Sequence, residues 1–215
     1  MSLDLPPGAL ADLSRAAEAL RPLWPGLSWA RPEGYHLTLA FLGEIEGAQV
    51  EAVRGVLRGM SESRAILFRF AGLGRFPPRG DPRVLFVEME DEGGSAAFAA
   101  ALGRRLQEAL GRVPDKSFKP HVTVARVGPR AGRVDMGGAA LARAEAAVDG
   151  AAVDRAAVDP AAVDPAAPRP LRRAWTLSRC ALYKSELRPG GAVYTEIEGI
   201  DLDGAQAGDR PAGVV

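Results

Sequence analysis

The sequence predicts a protein of mixed helices and strands, folded as two related halves around one shared site. Three observations carry this. A short motif occurs twice, since His36 to Gly43 (H-L-T-L-A-F-L-G) and His121 to Gly128 (H-V-T-V-A-R-V-G) share the pattern H-h-T-h-A-x-h-G, with h apolar. Such self-similarity points to a duplicated unit whose two copies face each other across a pseudo-twofold site. Amphipathic helical spacings and β-rich apolar runs are interspersed along the chain. A length of 215 residues suits one large domain or two small lobes sharing a core, and is too short for a multidomain enzyme.

Gly8 to Leu23 follows a Pro6-Pro7 turn and places Leu10, Leu13, Ala17 and Leu20 at spacings of three and four, which predicts an amphipathic helix. Tyr35 to Leu42 reads as a strand, bounded by Arg31-Pro32-Glu33-Gly34 and Gly43. Gln49 to Met60 returns to helical spacing. Two β-rich runs, Ala65 to Phe70 and Arg83 to Met89, predict a strand pair across a loop rich in Gly, Pro and Arg. Ser95 to Leu110 repeats Phe98, Leu102, Leu106 and Leu110 every four residues and is the clearest helix. His121 to Val127 is a strand, and Ala174 to Tyr183 and Ala192 to Ile200 are two more, joined through Arg188-Pro189-Gly190-Gly191.

Residues 146–165 repeat a pentapeptide four times (AAVDG, AAVDR, AAVDP, AAVDP). A tract without large apolar side chains buries too little to offset chain entropy, so residues 146–168 are expected to be a low-complexity loop insert within a single domain over 1–203, followed by a flexible tail over 204–215. Basic and acidic residues balance at 27 each, so no overall field draws the protein to nucleic acid or an anionic membrane, and any anion must be held locally. The single cysteine, Cys180, excludes an internal disulfide framework and a zinc site built on cysteine pairs. Without a leader pattern or a bilayer-length apolar run, a monomer in the cytoplasm, free of membranes, is the expected state.

The chemistry centres on the only two histidines. Side chains alternate along a strand, so His36 and Thr38 share one face while Leu37 and Leu39 take the other, and His121 and Thr123 do the same. Two imidazoles across a phosphorus divide the proton transfers between them, and threonine hydroxyls suit the non-bridging oxygens. A lone H-x-T is more often a histidine satisfied at a strand end. With only four threonines in the chain, though, Thr two places after both histidines is a coincidence on the order of one in a few thousand. Arg126 offers a charge-assisted phosphate contact, but strict alternation puts it opposite His121 unless the strand bulges, and a solvated arginine is the alternative. Phe118 is either an aromatic surface for a base or a core residue. P-loop, dinucleotide and nucleophile-elbow motifs are missing, no histidine pair has zinc-ligand spacing, and the acidic residues form no convincing metal cluster.

Four stretches resemble the RNA 2',3'-cyclic phosphodiesterase or 2'-5' RNA ligase family of the two-histidine phosphoesterase superfamily. They are Trp29 to Leu39 with Phe41-Leu42-Gly43, Phe118 to Arg126, Leu182 to Leu187 (L-Y-K-S-E-L), and Gly191 to Tyr194 (G-A-V-Y). The resemblance implies a bilobal, pseudo-twofold α+β fold in which two antiparallel sheets flank a central cleft and helices lie outside. It implies His36 as general acid, His121 as general base, Thr38, Thr123 and Arg126 on the phosphate, no metal and no cofactor. The implied substrates are RNA ends or nucleotides bearing a 2',3'-cyclic phosphate, opened to 2'-phosphates. Ligation through 2'-5' bonds, or a non-catalytic module that binds RNA ends, are the alternatives. Family members begin with an apolar strand ahead of the segment matching Leu3-Asp4-Leu5-Pro6, so in a chain starting Met1-Ser2 that strand is expected to be shortened or absent, leaving one sheet edge in doubt.

Overall fold

The structure is a computed structural model that describes residues 1–111, 118–128, 131–132, 134–145, 173–188 and 191–203. The pentapeptide tract and the expected tail lie outside the described residues. In chain order the elements are β1 (Ser2–Asp4), α1 (Pro7–Leu20), β2 (Leu27–Trp29), β3 (His36–Thr38), α2 (Ala48–Arg58), β4 (Ile66–Phe76), β5 (Val84–Glu90), α3 (Gly94–Leu110), β6 (His121–Val127), β7 (Trp175–Leu177), β8 (Arg179–Arg188) and β9 (Gly191–Asp201). Residues 138–145 are also helical. No described helix is long and apolar enough to cross a membrane.

The strands form two antiparallel sheets, ordered β3-β1-β8-β9 and β2-β6-β5-β4-β7. The internal repeat is visible in this order. In the first half β1 leads through α1 to the motif strand β3, its antiparallel neighbour, and in the second half β5 leads through α3 to the motif strand β6. β3 and β6 come into contact where the two sheets meet.

Helix spacing dictates what is buried. Proline opens α1, where its missing N–H costs nothing, and the helix turns Ala9, Leu13, Ala17 and Leu20 inward. In α3, Phe98, Leu102 and Leu106 are buried, and Gly111 closes the helix in the left-handed conformation that glycine adopts without penalty. These faces meet Leu3, Leu37, Phe68, Phe70, Leu85, Val122 and Val124 from the sheets in one continuous core.

Four expectations need correction. The strand over Tyr35 to Leu42 is only His36–Thr38, because its partner β1 has three residues, and beyond it the N–H groups of Leu39 and Ala40 both turn to the Met1 carbonyl. β1 itself is short but lies inside the sheet, between β3 and β8, so no edge is missing. Ala174 to Tyr183 is two strands that part at Ser178, β7 joining β4 and β8 joining β1. β2 has no counterpart in the sequence reading, and its three residues pair with β6 at Val127, Arg126 and Ala125.

Candidate active site

His36 and His121 are the first residues of their strands, both half-buried. Each is tied to the backbone two residues upstream, His121 through Nδ1, which donates to the Lys119 carbonyl at 2.7 Å, and His36 through a hydrogen bond to Gly34. A carbonyl partner requires Nδ1 of His121 to carry its proton, which leaves Nε2 with the free lone pair. The Tyr194 ring stands edge-on to His36 at 4.9 Å, and the Phe76 and Phe86 rings each stand 5.1 Å from His121.

Thr38 and Thr123 are half-buried on the same strand faces as their histidines. Arg126 joins them through a bulge. Phe86 pairs with Thr123 but Leu85 pairs with Ala125, so Val124 is an extra residue, and both Val124 and Ala125 turn inward. The parity is reversed, and exposed Arg126 shares the face of His121 and Thr123. Its charge is felt by both imidazoles, and His36 also feels His121, so these three groups lie near one another where β3 and β6 meet. Phe118 is half-buried against the core. The rings beside His121 are instead Phe76 and Phe86, which the sequence reading missed because they lie on β4 and β5, far from the motif in sequence. Their signal is strand pairing, with Phe86 opposite Thr123 and Phe76 opposite Val84.

Burial is the main cause that pushes His36 down to about 4, with nearby positive charges adding to it, and burial lowers His121 as well. On the same face as His36, buried Asp4 accepts from the Tyr183 hydroxyl at 3.0 Å and lies 3.3 Å from Arg179 Nε, while Arg179 also reaches Glu196 at 2.5 Å. Burial pushes Asp4 up to about 6 despite these partners. The two shifts act oppositely on stability. As pH falls from 6.5 toward about 4, the unfolded chain takes up protons that folded His36 refuses, so stability is lost. Asp4, raised from 3.8, contributes stability that is complete below 3.8 and lost as pH rises through about 6. His36→Asn is therefore expected to flatten the loss of stability on acidification and Asp4→Asn to steepen it. Urea midpoints between pH 4.5 and 7 measure both slopes, and parallel curves for the two variants would contradict this account.

Among the described residues no group of three or more His, Cys, Asp or Glu side chains is placed to hold a metal ion. Two imidazoles, two hydroxyls and a guanidinium on neighbouring strand faces are a set suited to moving protons about a phosphoryl centre.

Comparison with known proteins agrees in family. Residues 3–86 match the LigT like Phosphoesterase family. A curated RNA 2',3'-cyclic phosphodiesterase of Thermus thermophilus is 31% identical over 97% of this chain and 96% of that protein. One of Methanothermobacter thermautotrophicus is 26% identical over 92% and 95%. Among solved structures, one from Thermus thermophilus superposes with a TM-score of 0.68 at 30% identity, covering 95% of this chain and 97% of that one. Escherichia coli LigT complexed with 3'-AMP gives 0.64 at 18% identity over 94% and 95%, a likeness of fold. An identity of 31% over nearly the whole length and a shared fold place this chain in the LigT-like phosphoesterase family, beside relatives named RNA 2',3'-cyclic phosphodiesterases.

Proposed function

We propose that this protein hydrolyses 2',3'-cyclic phosphates at RNA ends to 2'-phosphates, without a metal, using His36 as general acid and His121 as general base. The observation that carries the reading is the nearness of two pseudo-symmetric imidazoles and Arg126 to one another where β3 and β6 meet. His121 Nε2 takes a proton from water, the water oxygen bonds to phosphorus, the P–O3' bond breaks, and His36 gives its proton to the departing O3'. Thr38, Thr123 and Arg126 offset the charge that builds on the non-bridging oxygens. Ligation through a 2'-5' bond is the same displacement with an RNA 5'-hydroxyl in place of water as the nucleophile and O3' leaving as before, and water at its bulk concentration favours hydrolysis.

The test is a short RNA ending in a 2',3'-cyclic phosphate, incubated with the protein in excess chelator. Full turnover to a 2'-phosphate is expected. A 3'-phosphate product, or activity that returns only when divalent metal is restored, would refute the proposal.

The buried state of both imidazoles also sets the pH profile. The productive free enzyme needs His36 protonated and His121 neutral, and both titrate below 6.5. The bell in kcat/KM is therefore expected on the acid side of neutrality. A bound phosphate anion favours protonated His36, so the kcat profile should lie at higher pH than that of kcat/KM. A kcat/KM still rising above about pH 8 would contradict the assignment.

A further inference from the structure

His121 is gripped on three sides. Its Nδ1 is fixed on the Lys119 carbonyl, and the planes of Phe76 and Phe86 stand at 79° and 61° to the imidazole, each ring 5.1 Å away. The two phenyl rings lie against each other at 4.4 Å and 30°. Phe86 is buried, whereas Phe76 ends β4 half-exposed. The register puts Phe76, Phe86, His121, Thr123 and Arg126 on one face of the sheet. Around this apolar wall the charges are Lys119, whose ammonium lies 4.9 Å from the Phe86 centroid and 2.7 Å from Glu88, together with Arg126 and, across the cleft, His36. Among the described residues the other imidazole has one aromatic ring contact, Tyr194.

We propose that Phe76, seated on Phe86, is a positioning residue for His121, holding the imidazole plane so that Nε2 faces the cleft. One hydrogen bond leaves a ring free to swing about the line through Nδ1, and two phenyl groups at steep angles to its plane remove that freedom. The same wall keeps water from the ring flank, which disfavours the imidazolium. The inference rests on the reading of His121 as the base, and it adds a residue outside both H-x-T motifs.

The test uses the full chain and follows the two histidine Cε1–H signals by NMR, assigned with His36→Asn, alongside steady-state kinetics on the cyclic-phosphate RNA. Phe76→Ala is expected to raise the His121 titration midpoint while leaving that of His36 in place, and to lower kcat about tenfold with little change in KM. Phe76→Leu, which keeps apolar volume and therefore the fold, should lower kcat in the same way, and Phe76→Tyr should recover most of the rate. Wild-type kcat and His121 midpoint in Phe76→Leu and Phe76→Ala would overturn the proposal, as would a loss confined to KM, which marks a substrate contact. If the wild-type chain hydrolyses no cyclic phosphate, the activity reading fails by itself, and the titration arm still decides whether Phe76 holds His121.

Discussion

His36→Ala and His121→Ala are each expected to lower turnover at least about a hundredfold, the usual consequence of removing a general acid or base. The double variant should lose far less than the product of the two, because the proton transfers act as a unit. The two losses differ in how they can be relieved. In the proposed mechanism His36 protonates the departing O3', so a substrate with a better 3' leaving group should partly rescue His36→Ala and leave His121→Ala impaired. Rescue of His121→Ala instead would exchange the acid and base labels. Neither fold nor core is at risk in these variants, since both rings are half-buried at strand starts and their strands are anchored by Leu37, Val122 and Val124. Single variants with unimpaired turnover would remove the catalytic reading of both motifs.

The largest effect outside the motifs is expected at Gly74. A Cβ there would lie 2.3 Å from Phe86 Cε2 and 2.4 Å from Cζ, and 3.2 Å from Glu88 Oε1. The Phe86 ring cannot retreat freely, since Phe76 and His121 stand against it. Gly74→Ala should therefore destabilise by about 1–3 kcal/mol through overpacking, and should lower kcat/KM as the displaced ring pushes on His121. Gly55→Ala in α2 and Gly103→Ala in α3 are controls, because a Cβ at either meets nothing within 4 Å and alanine is the better helix former. Urea midpoints and kcat/KM for the three variants check the contrast. A neutral Gly74→Ala would show that the aromatic wall is softer than its packing implies.

Much of this site was legible in the sequence because its signals are local. The H-x-T spacing put each threonine on its histidine's face, and α3 and β6 were readable from periodicities of four and two that a single element suffices to produce. Arg126 was only half legible. Its residue type suggested phosphate, but its face depends on a bulge at Val124 that arises from pairing with β5 and leaves no local mark. The same holds for Phe76, Phe86 and Tyr194, whose nearness to the histidines is a property of strand order. The break at Ser178 was hidden because the residues on both sides are β-rich, and only the change of partner separates the two strands. β2 was missed because three residues are too few to show a period, and β1, equally short, was expected only through the resemblance, as shortened or absent.

That change of partner also orders how the molecule is made. β4, β5 and β6 are neighbours in both chain and sheet, so most of the second sheet can assemble while the ribosome is still at work. β1 pairs with β8 through Leu3 and Cys180, two ends of a very long stretch of chain, and β3 depends on β1 for its place. Until β8 and β9 emerge, any β1–β3 pair that forms in the nascent chain leaves the far flank of β1 unpaired. Such an edge is open to pairing with other chains, and the interval between the two histidine strands becoming structured is a window in which synthesis is exposed to aggregation.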